Sequence, residues 1–545
     1  MNTLNPHNLC FGRKAALNLL NRRFKDLKEG YRQNLALLGS RYIGKSTILQ
    51  KFVSEIDDPD TIVIYLNLEN RDFDYFYSKI IKSILFNFAR SKNLPPQEEI
   101  KVLIEITRPL IPQTVEAVEK ILALIKAKKY SEAYQDLIAL PEIFNTEAGK
   151  FCVVILDEFH GLEDFPVEEA FQEMGNKIMT QRRCLYVIAS SYPEVANRIL
   201  SEQLTLLFGN FEIINIGSFD GVASQEFVEK FVGDLRIGSH LRSFLADFTG
   251  GQPLYLSLLC QELIHLSAVH KQTEVYVPLI TQAIEDMVFN PWGALSRHFD
   301  LMVSELCQGK GNRPVTALLI ALANGKCRLK DLLEVLSQKP AQVNQKLNRL
   351  IELDIVEKNG NIFQFKDKLF RYWLKYVLQK RIMAIDLEPG KQHKLFKEEL
   401  NRAVVDFQAT SRKDLSTRMT ELFHCFDNES LNLNGRRYKL PVFSEIAPLK
   451  LRSIAGTYID AFSGQCDEGT WLVAMRKDPF TEGDINAFLA EAKNMGPKPQ
   501  RLIVVSLSNL DENARVRALQ ERMWVWNEQE VNSLMHLYDK PYVVR

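Results

Sequence analysis

A short apolar run, Asn34-Leu35-Ala36-Leu37-Leu38, delivers the chain into Gly39-Ser40-Arg41-Tyr42-Ile43-Gly44-Lys45-Ser46, and helical spacing resumes at Thr47. The octet fits the pattern GxxxxGK[ST] without departure, in the strand–loop–helix context that the pattern requires. Such a segment curls backbone N–H groups into a concave row at a helix N-terminus, where phosphate is attracted. Gly39 and Gly44 permit the curl. Ser40, Arg41, Tyr42, Ile43 and Thr47 would contribute backbone or side-chain contacts to a bound nucleotide. Lys45 would reach the β- and γ-phosphates, and the Ser46 hydroxyl would hold Mg²⁺. ATP with Mg²⁺ is therefore the expected ligand.

The second half of such a site is also present. Phe151-Cys152-Val153-Val154-Ile155-Leu156 reads as a buried strand and ends in Asp157-Glu158. A carboxylate at that depth is costly without a cation nearby. Asp157 is expected to hold the metal, and Glu158 to polarise the attacking water as general base. Another apolar strand, Cys184–Ala189, runs into Ser190-Ser191, where Ser190 could sense the γ-phosphate. Arg198, on the next helix, is a candidate arginine finger, in cis or across a subunit contact. Arg182 and Arg183, just before the strand, are further candidates.

Thr61–Leu66 and Glu212–Ile216 complete a set of apolar strands separated by helical segments. That alternation predicts an α/β fold with a parallel sheet covered on both faces. Residues 95–148 read as a helical insertion broken by Pro95, Pro96, Pro109 and Pro112. At 545 residues the chain exceeds one hydrophobic core, since domains usually hold about 100–200 residues. Lys+Arg and Asp+Glu are both 68, so no global basic field draws the chain to nucleic acid. The eight cysteines, Cys10 among them, show no metal-binding spacing and are expected to be buried, reduced thiols. The N-terminus has no leader-like pattern, and apolar runs such as Ala317–Ala323 are far shorter than the ~20 residues that span a bilayer. A cytoplasmic protein without a membrane contact is expected.

From about 222 to 300 the pattern is helical, interrupted by Thr249-Gly250-Gly251-Gln252-Pro253. Val315–Ala323, Leu329–Leu336 and Ala341–Leu353 then read as helices, followed by a hairpin over Ile355–Phe365. Three helices and a β-wing form a winged-helix pattern. Taken with Phe11-Gly12-Arg13 ahead of the loop, the order of motifs over about residues 8–380 resembles the archaeal-type ATPases of the STAND branch of the AAA+ superfamily. The segment Phe365-Lys366-Asp367-Lys368-Leu369-Phe370-Arg371-Tyr372-Trp373-Leu374 is a further match. The resemblance implies that Gly12 and Arg13 lie near the adenine. It also implies that Pro253 sits in lid helices facing the nucleotide. Two positions depart from the family pattern: Lys14-Ala15-Ala16 where an acidic residue usually follows the FGR box, and Asn210 where an arginine often follows Phe208-Gly209.

The expected domains are a P-loop ATPase domain at 1–220, a helical lid at 221–300, a winged helix at 301–385 and a C-terminal α/β domain at 386–545. Thr457–Phe462, Trp471–Met475 and Leu502–Val505 read as strands in the last of these, in a pattern like that of restriction endonucleases. Those enzymes use an Asp and an ExK on neighbouring strands. Here Asp460 is present, but Ala474 and Arg476 stand where Glu and Lys are expected, and Glu421 lies on an earlier helix. The domain is therefore read as a degenerate, inactive nuclease fold. The expected function is an ATP-hydrolysing switch that couples nucleotide state to a partner. The alternative is an ATP-regulated DNA-binding protein of a mobile element or defence system. It would engage duplex DNA through the winged helix, with Gln342, Asn344, Gln345, Lys346, Asn348 and Arg349 on its recognition helix, or through the C-terminal domain as binding module or weak nuclease. A protein partner and a homo-oligomer remain open.

Overall fold

Alternating apolar strands and amphipathic helices build a parallel sheet at the N-terminal end of the chain. The computed structural model describes residues 11–95, 97–204, 211–307, 313–383, 389–433, 435–452, 458–496, 498–508 and 510–543. Cys10, Pro96 and the Phe208-Gly209-Asn210 stretch lie outside these residues. The chain divides into two units, one of Met1–Ser218 with Glu352–Asp354, the other of Phe219–Ile351 with Ile355–Arg545.

In the first unit, α1 (Lys14–Lys28) leads to β1 (Asn34–Leu38), α2 (Lys45–Glu55), β2 (Thr61–Asn67) and α3 (Phe73–Ser91). Asp72 caps α3 by accepting from the Tyr75 N–H at 2.8 Å. The expected insertion is α4 (Ile100–Thr107), α5 (Pro112–Lys126) and α6 (Tyr130–Ala148). Pro112 starts α5, where its missing N–H costs nothing. Then come β3 (Phe151–Asp157), α7 (Ala170–Thr180), β4 (Cys184–Ser190), α8 (Pro193–Arg198) and β5 (Phe211–Asn215). All pairings in the sheet are parallel, in the order β2-β3-β4-β1-β5. The chain thus crosses from β1 to the sheet edge, returns through β3 and β4, and places β5 on the far side of β1.

Both faces are covered, because strand side chains alternate. Leu35, Leu37, Val153, Ile155, Leu185 and Val187 pack with α1 and α2. Ala36, Leu38, Val154, Leu156 and Ile188 pack on the opposite face with α3 and the insertion helices. The register aligns Leu38 with Ser190 and Asp157 with Ala189, so the carboxyl ends of three strands share one edge.

The second unit opens with α9 (Gly221–Val232), β6 (Arg236–Ile237), α10 (Ser239–Thr249), α11 (Pro253–Val269), β7 (Glu274–Val275), α12 (Val277–Ile284) and α13 (Ala294–Leu306). Gly250 and Gly251 link α10 to α11 at φ +62° and +69°. A Cβ at Gly251 would lie 2.2 Å from the Phe219 carbonyl oxygen, so the turn demands glycine. Next are α14 (Arg313–Ala323), α15 (Leu329–Leu336), α16 (Pro340–Glu352) and the antiparallel pair β8 (Val356–Asn359) and β9 (Ile362–Phe365). The sequence places these elements to within two residues. They are followed by α17 (Lys368–Trp373), which runs into a π-helical turn at Leu374–Leu378, and by α18 (Gln379–Met383).

The remainder is α19 (Pro389–Ser411), α20 (Leu415–Phe423), the β10–β11 hairpin (Glu429–Leu433, Arg436–Leu440) and a second sheet. That sheet holds β12 (Glu445–Arg452), β13 (Tyr458–Cys466), β14 (Gly469–Arg476), β15 (Arg501–Ser506) and β16 (Trp524–Trp526), in sequential order. The β12–β13 and β13–β14 pairs are antiparallel, and β14–β15 and β15–β16 are parallel. The parallel pairs need crossovers, supplied by α21 (Glu482–Asn494) and α22 (Glu512–Gln520); α23 (Glu528–Leu537) follows. Cys152, Cys184 and Cys260 are buried, as expected; Cys307, Cys327, Cys425 and Cys466 are only half-buried, and all seven are free thiols. No helix of the described residues is long and apolar enough to cross a membrane.

One face of the second sheet rests on Phe423, whose ring lies 4.8–5.8 Å from those of Phe426, Phe443, Phe462 and Trp526. Phe423 is fully buried. Phe423→Ala should destabilise this region by about 3–5 kcal/mol. Denaturant unfolding followed by tryptophan fluorescence should show the loss as a lower midpoint.

Candidate nucleotide-binding site

The loop between β1 and α2 has the shape its glycines require. Gly44 precedes α2 at φ +97°, and Tyr42 adopts φ +60°. A Cβ at Gly39 would stand 2.2 Å from the Ile216 carbonyl oxygen. Ile216 is held there because its N–H donates to Leu38 O at 2.7 Å. Ile43 is buried and anchors the loop, whereas Tyr42 is exposed. Ser40 gives its carbonyl to Lys45, Arg41 pairs with Glu69 at the surface, and Thr47 is half-buried in the first turn of α2.

Lys45 is buried, and its ammonium donates to Gly39 O (2.9 Å), Ser40 O (3.0 Å) and Ser191 Oγ (2.8 Å). An ammonium has three donors, and here each has a partner. Burial pushes the Lys45 pKa down, while the charges of Glu158 and Asp157 act against that shift. A phosphate at this point would take over donors now spent on the loop carbonyls.

Asp157 is fully buried. Its Oδ2 accepts from Ser46 Oγ at 2.7 Å and from the Tyr65 hydroxyl at 2.8 Å. Its Oδ1 is buried with no hydrogen-bond partner among the described residues. A buried carboxylate oxygen left without a donor is costly. A hard divalent cation beside it and the Ser46 hydroxyl would remove that cost, so this donor set fits Mg²⁺. Tyr65 is held strongly protonated by burial and by the neighbouring Asp157.

Glu158 takes the left-handed conformation at φ +55°, rare for a non-glycine residue. Its carboxylate accepts from the Ser191 N–H at 2.7 Å and from the Ser191 hydroxyl. Burial raises its pKa, and Lys45 and Ser191 oppose the rise. Ser191 is thus the joint between Lys45 and Glu158. Ser190, the expected sensor, is buried beside it and contacts His160 Nδ1 at 3.1 Å instead. His160 Nδ1 lies 3.5 Å from Glu158 Oε2, and burial lowers the His160 pKa, with Arg41 adding to the effect.

The other expected residues divide. Arg13 ends the turn before α1, after Gly12 at φ +65°, and its guanidinium donates to Ile43 O at 3.2 Å and Gly217 O at 2.5 Å. Arg13 therefore braces the loop itself. Arg198 ends α8 with a largely exposed side chain and is not part of the Lys45–Glu158 network. Pro253 is the first residue of α11 in the second unit. Tyr65, Ser191 and His160 were not singled out from sequence as site residues. The only prior signal for Ser191 was the serine pair at the strand end.

No family model matches the chain. Among curated proteins it is 24% identical over 214 residues to the sulfate/thiosulfate import ATP-binding protein CysA of Synechocystis, a stretch covering 37% of this chain and 59% of that protein. Among solved structures it is similar to a Walker-type ATPase of Pyrococcus abyssi (14% identity, 67% of this chain and 96% of that one, TM-score 0.48). It is also similar to the Aeropyrum pernix ORC2 protein (12% identity, 68% and 95%, TM-score 0.43). The Thermotoga maritima RuvB branch migration motor aligns at 12% identity over 67% and 95%, with a TM-score of 0.35.

The close approach at Gly39 makes a definite prediction. Gly39→Ala should force the loop off Ile216, cost about 1–3 kcal/mol as an overpacked contact, and weaken ATP binding. Denaturant midpoint and calorimetric titration together check both effects.

Proposed function

We propose that the chain is an ATP-hydrolysing molecular switch of the STAND/AAA+ type that couples nucleotide state to a partner. The observation that carries the reading is the bond from Ser46 to Asp157 beside the partnerless Asp157 Oδ1. It is supported by the Lys45–Ser191–Glu158 chain on the neighbouring strand end.

In this reading, Lys45 exchanges the carbonyls of Gly39 and Ser40 for β- and γ-phosphate oxygens. Ser46 and Asp157 would hold Mg²⁺, which when bound would neutralise charge developing on the phosphates. Glu158 leaves Ser191, orients a water and takes its proton. The water oxygen then bonds to the γ-phosphorus as the bond to the bridging oxygen breaks, giving ADP and phosphate. Ser191, touching both Lys45 and Glu158, would report whether a phosphate is present; Ser190 would act behind it through His160. Arg198 remains the candidate arginine finger. Gly12 and Pro253 enter through the family resemblance, as adenine-side and lid positions.

For the second unit, α14–α16 with β8 and β9 are proposed as a winged helix, and the second sheet as a nuclease-like fold without the activity. Register supports the inactivity. Asp460 stands opposite Met475 across β13–β14, so Ala474 and Arg476 project from the other face. Arg476 is also committed to buried Asp484 at 2.9 Å. These side chains do not converge on one metal.

A DNA-binding role is the second reading. Gln342, Asn344, Gln345, Asn348 and Arg349 are exposed on α16, while Val343, Leu347 and Leu350 are buried. Lys346 donates to Gln338 at 2.6 Å. A salt-dependent mobility shift with duplex DNA that weakens in Arg349→Ala would favour this reading; no shift at low salt would end it.

Two variants test the ATPase reading. Lys45→Ala should abolish ATP turnover. Glu158→Gln should keep ATP binding and lower turnover by roughly 10²–10⁴-fold, the range for loss of a general base. Phosphate release at saturating ATP is the readout, and unchanged turnover in both variants would refute the proposal.

A further inference from the structure

The segment Phe365–Leu374, singled out in the sequence, has no role in the nucleotide site. In the fold it becomes one wall of a cavity of about 290 Å³ within the second unit. Lys368, Arg371, Tyr372, Lys375 and Tyr376 fall at i, i+3, i+4, i+7 and i+8 and share one helical face along α17 and its π-helical turn. π-turns inside helices recur at functional sites. The opposite walls are Phe244 and Phe248 of α10, Phe407 of α19, and the tail residues Asp539, Lys540 and Pro541.

The lining is aromatic and has spare positive charge. Phe248 meets the Tyr372 ring edge-on at 5.0 Å, and Tyr372 and Tyr376 lie 4.6 Å apart. The lining holds four cations, Lys368, Arg371, Lys375 and Lys540, against three carboxylates, Asp247, Asp406 and Asp539. Two of the pairs are closed: Lys368 to Asp247 at 2.6 Å, and Arg371 to Asp539 at 2.9 Å. Lys375 and Lys540 have no carboxylate partner among the described residues, which leaves two cations facing Asp406 alone. Asp539 is largely exposed, so its hold on Arg371 is weak and replaceable.

We propose that this cavity binds a small anion of the nucleoside monophosphate class, its planar base against Phe248, Tyr372 and Tyr376 and its phosphate on Lys375, Lys540 and Arg371. Its volume is near the lower end for ligand sites, about 300 Å³, which suits one ring and one phosphate. The Asp247 carboxylate, which also accepts from the Tyr542 N–H at 2.7 Å, ties α10 to the C-terminal tail on the cavity wall. An occupant would touch both elements and set their spacing. The site shares no residue with the P-loop, so it stands or falls independently of ATP hydrolysis.

The test uses the full chain carrying Lys45→Ala, so that the P-loop does not compete, and radiolabelled AMP as probe in equilibrium dialysis. Saturable binding is expected, displaced by AMP and far less well by inorganic phosphate. Lys375→Ala with Lys540→Ala should raise the Kd at least about tenfold, and Tyr376→Leu should do so separately. Circular dichroism and the unfolding midpoint confirm that each variant is folded. For a variant that is not, charge reversal at half-buried Lys540 (Lys540→Glu) replaces it. Binding that is absent, or indifferent to these changes, overturns the proposal. Equal displacement by phosphate and AMP would overturn the ring contact and leave a plain anion site.

Discussion

The candidate site depends on burying charge at the end of a parallel sheet. Asp157, Glu158 and Lys45 all lie nearly out of water, where an unpaired charge is very costly. Ser46, Tyr65 and Ser191 make the arrangement tolerable by donating to, or accepting from, those charges. Of the polar atoms of these three charged groups, Asp157 Oδ1 has no partner among the described residues. The sheet order β2-β3-β4-β1-β5 makes this possible, since it puts the ends of β3 and β4 next to the loop after β1. A crevice at the carboxyl ends of such strands, where the strand order reverses, is where open α/β sheets bind ligands.

The same arrangement explains the chemistry available. Lys45 is preset near the loop carbonyls but held by bonds that phosphate oxygens can replace. Glu158 is parked on Ser191, in a backbone conformation that few non-glycine residues adopt. Strain of that kind persists only where surrounding structure enforces it. Lys45 and Glu158 both contact Ser191, and the proposed switch rests on that shared contact.

Much of this was legible in the sequence. β1, β3 and β4 are continuous apolar runs, and each matched to within a residue. The loop glycines and Asp157-Glu158 announce their chemistry by type and spacing. Tyr65 was illegible because its role depends on β2 lying beside β3, which pairing decides and local sequence does not. Ser190 and Ser191 differ by one residue along the chain. Only the strand's twist and end decide which hydroxyl turns toward Lys45. In the C-terminal region, β12 was missed because Glu445–Arg452 mixes Pro448, Lys450 and Arg452 into an edge strand. The face that Asp460 shares with its neighbours was hidden for a related reason: spacing along a chain does not give the facing side of a paired strand.

The central claim is that Asp157 and Ser46 form a metal-dependent nucleotide site. The most direct measurement is calorimetric titration of ATP with and without Mg²⁺, for the natural chain and for Asp157→Asn. Mg²⁺ should tighten ATP binding in the natural chain, and Asp157→Asn should lose most of that gain while still binding ATP through the loop. Equal ATP affinity with and without Mg²⁺ in the natural chain, or an Mg²⁺ effect that survives Asp157→Asn, would contradict the account.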